Sequence, residues 1–534
     1  MAIKRYNADA DNTITNAFKA DLSTRGTGAN MGAADVLEVF SIRGQASGSD
    51  AGLSSELSRA IIKFPVSDIQ TDRSASTIPL SGSVSFYLKM FDAPHTQTVP
   101  REMYLMAHAL TRSWEEGTGL DMEEYTDLTY GKAGSTWLGG GLTGSWQHKG
   151  GDFVEDNDGG VLGKNMYKIY FEEGTEDLEA DITPLVEMWA NDNGNVLGSL
   201  TNYGLILKLT GTQEAFNEDY ATYAIPNPSG ALDSYYTKKF FSRSSEFFFK
   251  RPVIEARWDS ADKDDRGNFY YSSSLAPGED NLNTLFLYNY VRGQLRDIPE
   301  IGTTGSIMVS LFSGNVDDTA PSGSRLELSI GGGVSVAAET FATGGHFATG
   351  IYTCSVALTA ASTPVATLYD VWSSGTLQDG DHYRTRFHTG SITPYSLDSS
   401  DINPSTQYAL AITNLRPIYT RKETARFRLY ARQKEWNPTI YTRATADVEN
   451  EIIESASYMV YRVVDDLEVI PYNTGSDAAT QLSFDVSGNY FDLDMSLLES
   501  DYSYGMKFTF YNGAIGSWVE QSDVFKFRVQ DQQT

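Results

Sequence analysis

At 534 residues the chain is too long for one hydrophobic core, and at about 150 residues per domain it has room for three or four. Its 70 acidic and 41 basic residues leave a formal charge of -29, which repels a phosphate backbone and argues against direct nucleic-acid binding. The one cysteine, Cys354, rules out an intrachain disulfide, and no apolar run approaches the ~20 residues a helix needs to cross a bilayer.

The aromatic residues are mostly 31 Tyr and 26 Phe, set in short runs rich in Val, Thr and Ile, which is the vocabulary of half-buried strands. The opening "MAIKRYNADADNT" has basic residues with no apolar stretch behind them, so no conventional secretory signal is expected. Residues 1–30 are polar and poor in core residues, which suggests an arm that docks on a neighbouring subunit. Strands follow at "DVLEVFSI", "SRAIIKFPV", "SGSVSFYLKMFD" and "REMYLMAHAL", each bounded by Gly, Ser, Asp or Pro.

Residues 115–165 form a long, glycine-rich, acidic stretch containing Trp137 and Trp146. Loops of this length are usually functional or assembly surfaces. Behind it, Ile182, Leu185, Val186 and Trp189 recur at helical spacing, with Asp181 or Thr183 as cap and Pro184 in the first turn. "NYGLILKL" (202–209) is a polar, glycine-ended turn feeding an apolar run, in which Leu205, Leu207 and Leu209 face one side and Ile206 and Lys208 the other. A polar stretch at 217–237 separates this run from "FFSRSSEFFFKRPVIEARW", the last strand region of the first unit.

"DSADKDDRGN" (259–268) marks a polar linker. Beyond it, strand-like runs recur at short intervals in two sets, 259–398 and 399–534, each with the spacing of an immunoglobulin-like sandwich. No fixed period of 20 to 50 residues appears, so a solenoid or propeller is disfavoured.

The chemistry-bearing patterns are sparse. Six histidines include no HExxH, and there is no nucleophile elbow, no Walker-type loop and no cysteine pair, so no catalytic residue is assigned and an enzyme is not expected. His382 and His388 lie six apart on a strand pair and read as ordinary surface or core histidines. Two acidic, glycine-flanked segments gather oxygen ligands as a calcium loop would, through Asp156 and Asp158 in one and Asp262 and Asp264 in the other. The second has Ser273 where a bidentate Glu should close the site, so a solvated acidic loop is the simpler reading and no cofactor is expected. Trp137 and Trp146, with Tyr125 and Tyr130, either stack on a glycan or partner surface or pin the long loop to its own sandwich.

The order of these pieces, from "DADNTIT" through "GANMGAADVLEVF", "TRSWEEGTG", "ADITPLVEMWANDNGN" and "NYGLILKL" to "SSEFFFKRP", resembles the DNRLRE domain family over residues 1–258. The resemblance rests on Asn30, Met31 and Gly32 as a first N-x-G turn and on Trp114, Glu115 and Gly117 as a W-x-E-G element. It continues through Trp137, Asp181, Ile182 and Trp189, the second turn Asn202–Gly204, and Ser244, Ser245, Glu246, Arg251 and Pro252 at the end. It implies a jelly-roll-like β-sandwich related to carbohydrate-binding modules. Glu246 and Arg251 are expected to form a charge-assisted pair.

Followed by two immunoglobulin-like sandwiches, such a domain resembles virion structural proteins of tailed phages. "YTCSVALTAASTPVATLYDVWSSG" is similar to the end of a phage immunoglobulin-like domain. The expectation is an all-β chain of tandem sandwiches acting as a non-enzymatic neck, collar, tail-accessory or capsid-decorating component. Its partners would be other virion proteins and copies of itself, and it would be assembled in the host cytoplasm without membrane insertion. The alternative is an adhesin recognising host-surface glycans.

Overall fold

The computed structural model describes residues 2–43, 55–96, 99–121, 134–141, 144–156, 159–191, 196–214, 235–272, 282–314, 321–328, 341–358, 367–374, 385–395, 406–434 and 450–531. The fold is all-β, built of tandem sandwiches. Contacts divide the chain into two compact units, Ala2–Asp259 with Thr474–Ala479, and Ser260–Asn473 with Thr480–Thr534.

The first unit contains β1 (Ile3–Asn7), β2 (Ala10–Thr15), β3 (Val36–Arg43), β4 (Ser55–Lys63), β5 (Ser85–Met90), β6 (Met103–Ala109), β7 (Met166–Phe171), β8 (Leu178–Asp181), β9 (Leu205–Leu209), β10 (Tyr235–Phe241) and β11 (Val253–Arg257). Among the described residues the unit also has the α-helices α1 (Val66–Ser74), α2 (Thr183–Ala190) and α3 (Gly211–Glu214). One sheet runs β1-β11-β5-β8. The other runs β10-β3-β4-β9-β6-β7, with β2 added on β4. The main core lies between them: Leu205, Leu207 and Leu209 of β9 and Leu105 and Ala107 of β6 meet Phe86 and Leu88 of β5 and Ile254 of β11.

Residues 1–30 do not form a free arm: β1 pairs antiparallel with β11 and β2 with β4. The polar run ADNTIT is a buried strand because its side chains have specific partners. Asn12 Nδ2 donates to the Ser135 carbonyl at 2.8 Å, and Thr15 Oγ1 donates to the Leu57 carbonyl at 2.7 Å. Hydropathy alone hides such a strand, since a buried polar group is tolerated once hydrogen-bonded.

Helix α2 forms at the expected place and buries Leu185, Val186 and Trp189. Asp181 accepts the Thr183 N–H at 2.9 Å. Helix α1 has no counterpart in the sequence reading, because VSDIQTDRS has just two large apolar residues, Val66 and Ile69, to show a periodicity. An ion pair joins the two helices, with Arg73 donating to both carboxylate oxygens of Glu187 at 2.8 and 2.5 Å.

In the second unit one continuous sheet curls round a core containing Leu285, Val309, Tyr352 and Trp372. Strand Ala342–Ala348 switches partners along its length, from Ile307–Gly314 to Ile351–Val356. Two further sheets form the other sandwich. One contains Tyr408–Ile412, Thr424–Gln433, Gly488–Asp494 and Ser483–Asp485; the other is centred on Ser503–Asn512 between Ala456–Arg462 and Phe525–Gln530.

Residues 259–268 are not a solvated linker. Lys263 bridges in parallel to Phe484, and the Asp264 N–H donates to the Phe484 carbonyl at 3.1 Å. Arg266 grips both oxygens of Asp370 at 2.7 and 2.5 Å, and Asn268 hydrogen-bonds Glu454. The segment joins both sandwiches of the second unit.

Candidate functional site: an ion-pair network under the glycine-rich loop

Alternation along β4, β6 and β9 sends one set of side chains into the main core and the other to the opposite face of the larger sheet. That second face carries Leu57, Arg59 and Ile61 of β4, His108 of β6, and Ile206 and Lys208 of β9. The register places Ile61 beside Ile206 and Ile206 beside His108. The long loop roofs it. Trp137 packs with Ile14, Leu57, Ile61, Leu110 and Ile206, against Phe153, Trp114 and Tyr203.

Under this roof Arg59 donates Nε and Nη2 to the two oxygens of Glu214 at 2.9 and 2.7 Å, and Nη1 to the Gly150 carbonyl at 2.7 Å. Lys208 Nζ lies 3.2 Å from Glu214. Desolvation alone would raise the Glu214 pKa, but Arg59 and Lys208 overcome it and hold the carboxyl below its usual range. Chiefly through burial, with Lys208 and Arg59 adding, His108 is pushed down to about 4, so it is neutral at pH 7. Its Nδ1 meets the Val154 carbonyl at 2.8 Å and therefore carries the proton. A carboxylate saturated by two cations and an imidazole tied to backbone are clamps; neither is poised as a base or nucleophile.

Trp137 is fully buried, with the Arg59 guanidinium 5.0 Å from its ring centroid. Trp146 is also buried and donates Nε1 to the Thr136 carbonyl at 2.9 Å. The two indoles therefore pin the loop; the Trp137 ring is spent on the sheet and on Arg59, and Trp146 is buried with its N–H tied to backbone, so neither presents an open platform for a glycan or a partner. Gly150 makes the close approach feasible: its φ is +86°, and a Cβ there would meet Arg59 Nη1 at 2.7 Å and Trp137 Cζ2 at 2.8 Å. Tyr125 and Tyr130 lie outside the described residues.

The N-x-G turns share one geometry. Asn202 Oδ1 accepts the Gly204 N–H at 3.0 Å while its Nδ2 donates to the Phe64 carbonyl at 2.9 Å. Asn30 Oδ1 accepts from the N–H of Gly32 and of Gly119 at 3.2 and 2.8 Å, and its Nδ2 donates to the carbonyls of Glu116 and Ser135. Each Asn thus forms its own turn and ties it to a second segment. Trp114 joins in by donating Nε1 to the Tyr203 carbonyl at 2.8 Å.

The glutamate of the W-x-E-G element is Glu116, where the sequence reading had Glu115. Arg243 donates Nε and Nη2 to the two oxygens of Glu116, and Glu116 also accepts the Asp11 N–H at 2.9 Å. The pair expected between Glu246 and Arg251 is absent from the described ion pairs, and Arg251 donates Nε to the Ser245 carbonyl at 2.9 Å. Asp11 is buried and accepts the Arg243 N–H at 2.6 Å; desolvation pushes its pKa up to about 7.

At Asp262 and Asp264 the described geometry does not support a calcium site. Among the described residues no group of three or more His, Cys, Asp or Glu is arranged to hold a metal ion. Asp264 accepts from the Arg266 N–H at 3.2 Å, and neighbouring Asp265 accepts from the Thr284 N–H at 2.6 Å, so the carboxylates serve separate backbone groups. Asp262 meets the Ser483 hydroxyl through its own N–H. Asp156 is exposed in a turn, and Asp158 and His382 lie outside the described residues. Cys354 is buried in the second unit's core, with its thiol pushed up to about 12 by desolvation.

The sequence alone did not mark Arg59, His108, Glu214 or Arg243, and it placed Lys208 on a strand face without assigning it a role. For Arg59, His108 and Lys208 a signal was present: one charged or polar residue inside an otherwise apolar strand, as in "SRAIIKF", "LMAHAL" and "LILKL". No family model matches the chain, and no curated protein matches it. Among solved structures, the native conformation of E. coli alpha-2-macroglobulin aligns at 7% identity and a TM-score of 0.15, over 97% of this chain and 28% of that one, a likeness too low to bear on fold or function.

Proposed function

We propose that the chain is a non-enzymatic structural component of a tailed-phage virion, in the neck, collar, tail accessory or capsid decoration, held by repeated contacts with copies of itself and with other virion proteins. On this reading residues 1–258 are a DNRLRE-like scaffold. The observation that carries the proposal is the contrast between closed ionic clusters and an open apolar edge. Arg59–Glu214, Arg73–Glu187 and Arg243–Glu116 are ion pairs already satisfied within the fold. In the second unit Ser517–Glu520 pairs on one side with Ser503–Asn512, and among the described residues its other side has no partner strand. Tyr511, Ile515 and Val519 are exposed there, with Trp518 edge-on to Tyr511 at 5.6 Å. An apolar strand edge of this kind is what a neighbouring subunit covers in an assembly. Mass spectrometry of purified particles tests the proposal: the chain should be present at a stoichiometry set by the particle's symmetry, and its absence would sink the virion reading.

A second reading, glycan binding, is favoured by a different pair of rings. Tyr104 of β6 and Tyr170 of β7 are register partners on the face opposite the main core, their centroids 5.0 Å apart, with Tyr170 half exposed. Glycan-array binding that is lost in Tyr170→Ala would favour the adhesin.

A further inference from the structure

With no disulfide available, another means of covalently closing the first sandwich lies at a buried lysine. Lys238 of β10 is fully buried, and its Nζ lies 2.6 Å from Asp92 Oδ1. Asp92 follows β5, a strand of the opposite sheet, and bridges to Phe240 of β10. The rings of Phe171 and Phe240 flank the amine, with centroids 4.8 and 5.3 Å away. Nζ also donates to the carbonyls of Gly174 at 3.0 Å and Glu176 at 2.7 Å, which fix its position. On the other side of the carboxylate, His95 Nε2 stands 3.3 Å from the same Oδ1, with its side chain 7% exposed.

An ordinary salt bridge needs just the two opposite charges. Here the pair also has an apolar aromatic clamp, a fully buried amine and an acid–base group on the same carboxylate. We propose that Lys238 and Asp92 condense into an intramolecular isopeptide bond that staples the two sheets of the first unit. The reacting form is the neutral amine with the neutral carboxylic acid, which holds the same protons as the ion pair and is favoured over it by an apolar surround. Nζ adds to the Asp92 Cγ, the Nζ–Cγ bond forms and one Cγ–O bond breaks. The oxygen leaves as water, with the carboxyl's own proton and one from the amine. Nothing is oxidised or reduced, and no co-reactant is required.

His95 is placed to carry the proton from nitrogen to the departing oxygen, while the two backbone carbonyls hold the amine in line. Burial lowers the Lys238 pKa, against the opposing pull of Asp92, in the direction that favours a free amine. This inference does not depend on the virion reading.

The test is intact-mass spectrometry of the denatured full chain, followed by digestion. The expected mass is one water below the sequence mass, with a linked peptide pair joining the segments that contain Asp92 and Lys238. In Asp92→Asn the same bond would release ammonia instead of water, so the linked variant should have the same mass as the linked wild type. Lys238→Met should restore the full sequence mass. The wild-type result alone decides if a variant fails to fold: a chain at full sequence mass, or one that has lost water without a linked Asp92–Lys238 peptide, overturns the proposal.

Discussion

The guanidinium of Arg59 and the carboxylate of Glu214 face each other through two hydrogen bonds, with 4% and 3% of their side chains exposed. Removing one partner strands the other charge in a place water does not reach. Glu214→Ala strands both Arg59 and Lys208 and should therefore cost the first unit about 3–5 kcal/mol in urea unfolding, whereas the combined change Arg59→Met, Lys208→Met and Glu214→Leu, which removes all three charges, should recover most of it. A triple variant as unstable as the single one would show that the ionic cluster itself supplies the stability.

Trp137 couples the loop to the sheet through its ring, and its backbone carbonyl, which accepts the Gly150 N–H at 2.8 Å, holds the loop to itself. Trp137→Ala should cost about 3–5 kcal/mol and accelerate proteolysis within residues 115–165. Glycan binding, if the chain has any, should survive mild loosening of this loop, because the indole is buried. Direct loss of affinity in a still-folded Trp137 variant would contradict that placement.

The turn before β9 is a more local test. Gly204 has φ +91°, and a Cβ there would lie 2.1 Å from the Ile62 carbonyl oxygen. Gly204→Ala therefore combines backbone strain with a collision against β4, and should destabilise by more than about 1–3 kcal/mol. Asn202→Ala, which removes two hydrogen bonds without a clash, should cost about 1–2 kcal/mol. Thermal unfolding should rank the glycine variant as the more damaged.

In the second unit, desolvation pushes the Asp265 carboxyl up to about 7, with the Thr284 N–H pulling the other way and Glu454 and Asp264 adding to the rise. Because the folded pKa lies above the unfolded value of about 3.9, the folded state holds its proton more tightly. Stability from this group is greatest in acid and is lost as pH rises from about 4 through about 7. Asp265→Asn, which cannot ionise, should show a shallower fall in melting temperature between pH 5 and pH 8 than the wild type. An unchanged slope would remove Asp265 as its source.

Strands with plain alternation, such as SFYLKM and LILKL, were legible in the sequence, as was the helix built on Leu185, Val186 and Trp189. What stayed hidden depended on partners distant in the chain. Strand β2 reads as polar because the groups that satisfy Asn12 and Thr15 are Ser135 and Leu57. The site was half legible. The turn asparagines and Trp137 stood out by type, while Glu214 became meaningful only once folding brought it to Arg59, 155 residues away in sequence. Glu116 was legible from spacing alone, since Trp114-Glu115-Glu116-Gly117 puts the third position of W-x-E-G at 116; its partner Arg243, 127 residues away, was not.

The antiparallel ladder between β1 and β11 sets Ile3 opposite Arg257, and the Trp258 N–H donates to the Ala2 carbonyl at 3.0 Å. The two ends of the first unit are thus neighbours on one rung. Tension applied at residues 2 and 259 would load that outermost rung first and peel the ladder open one hydrogen bond at a time, instead of shearing all five register pairs together. As a mechanical element the unit is weak at its ends. Strand β1 should yield under a small force, while the sandwich core between β5 and the larger sheet remains closed.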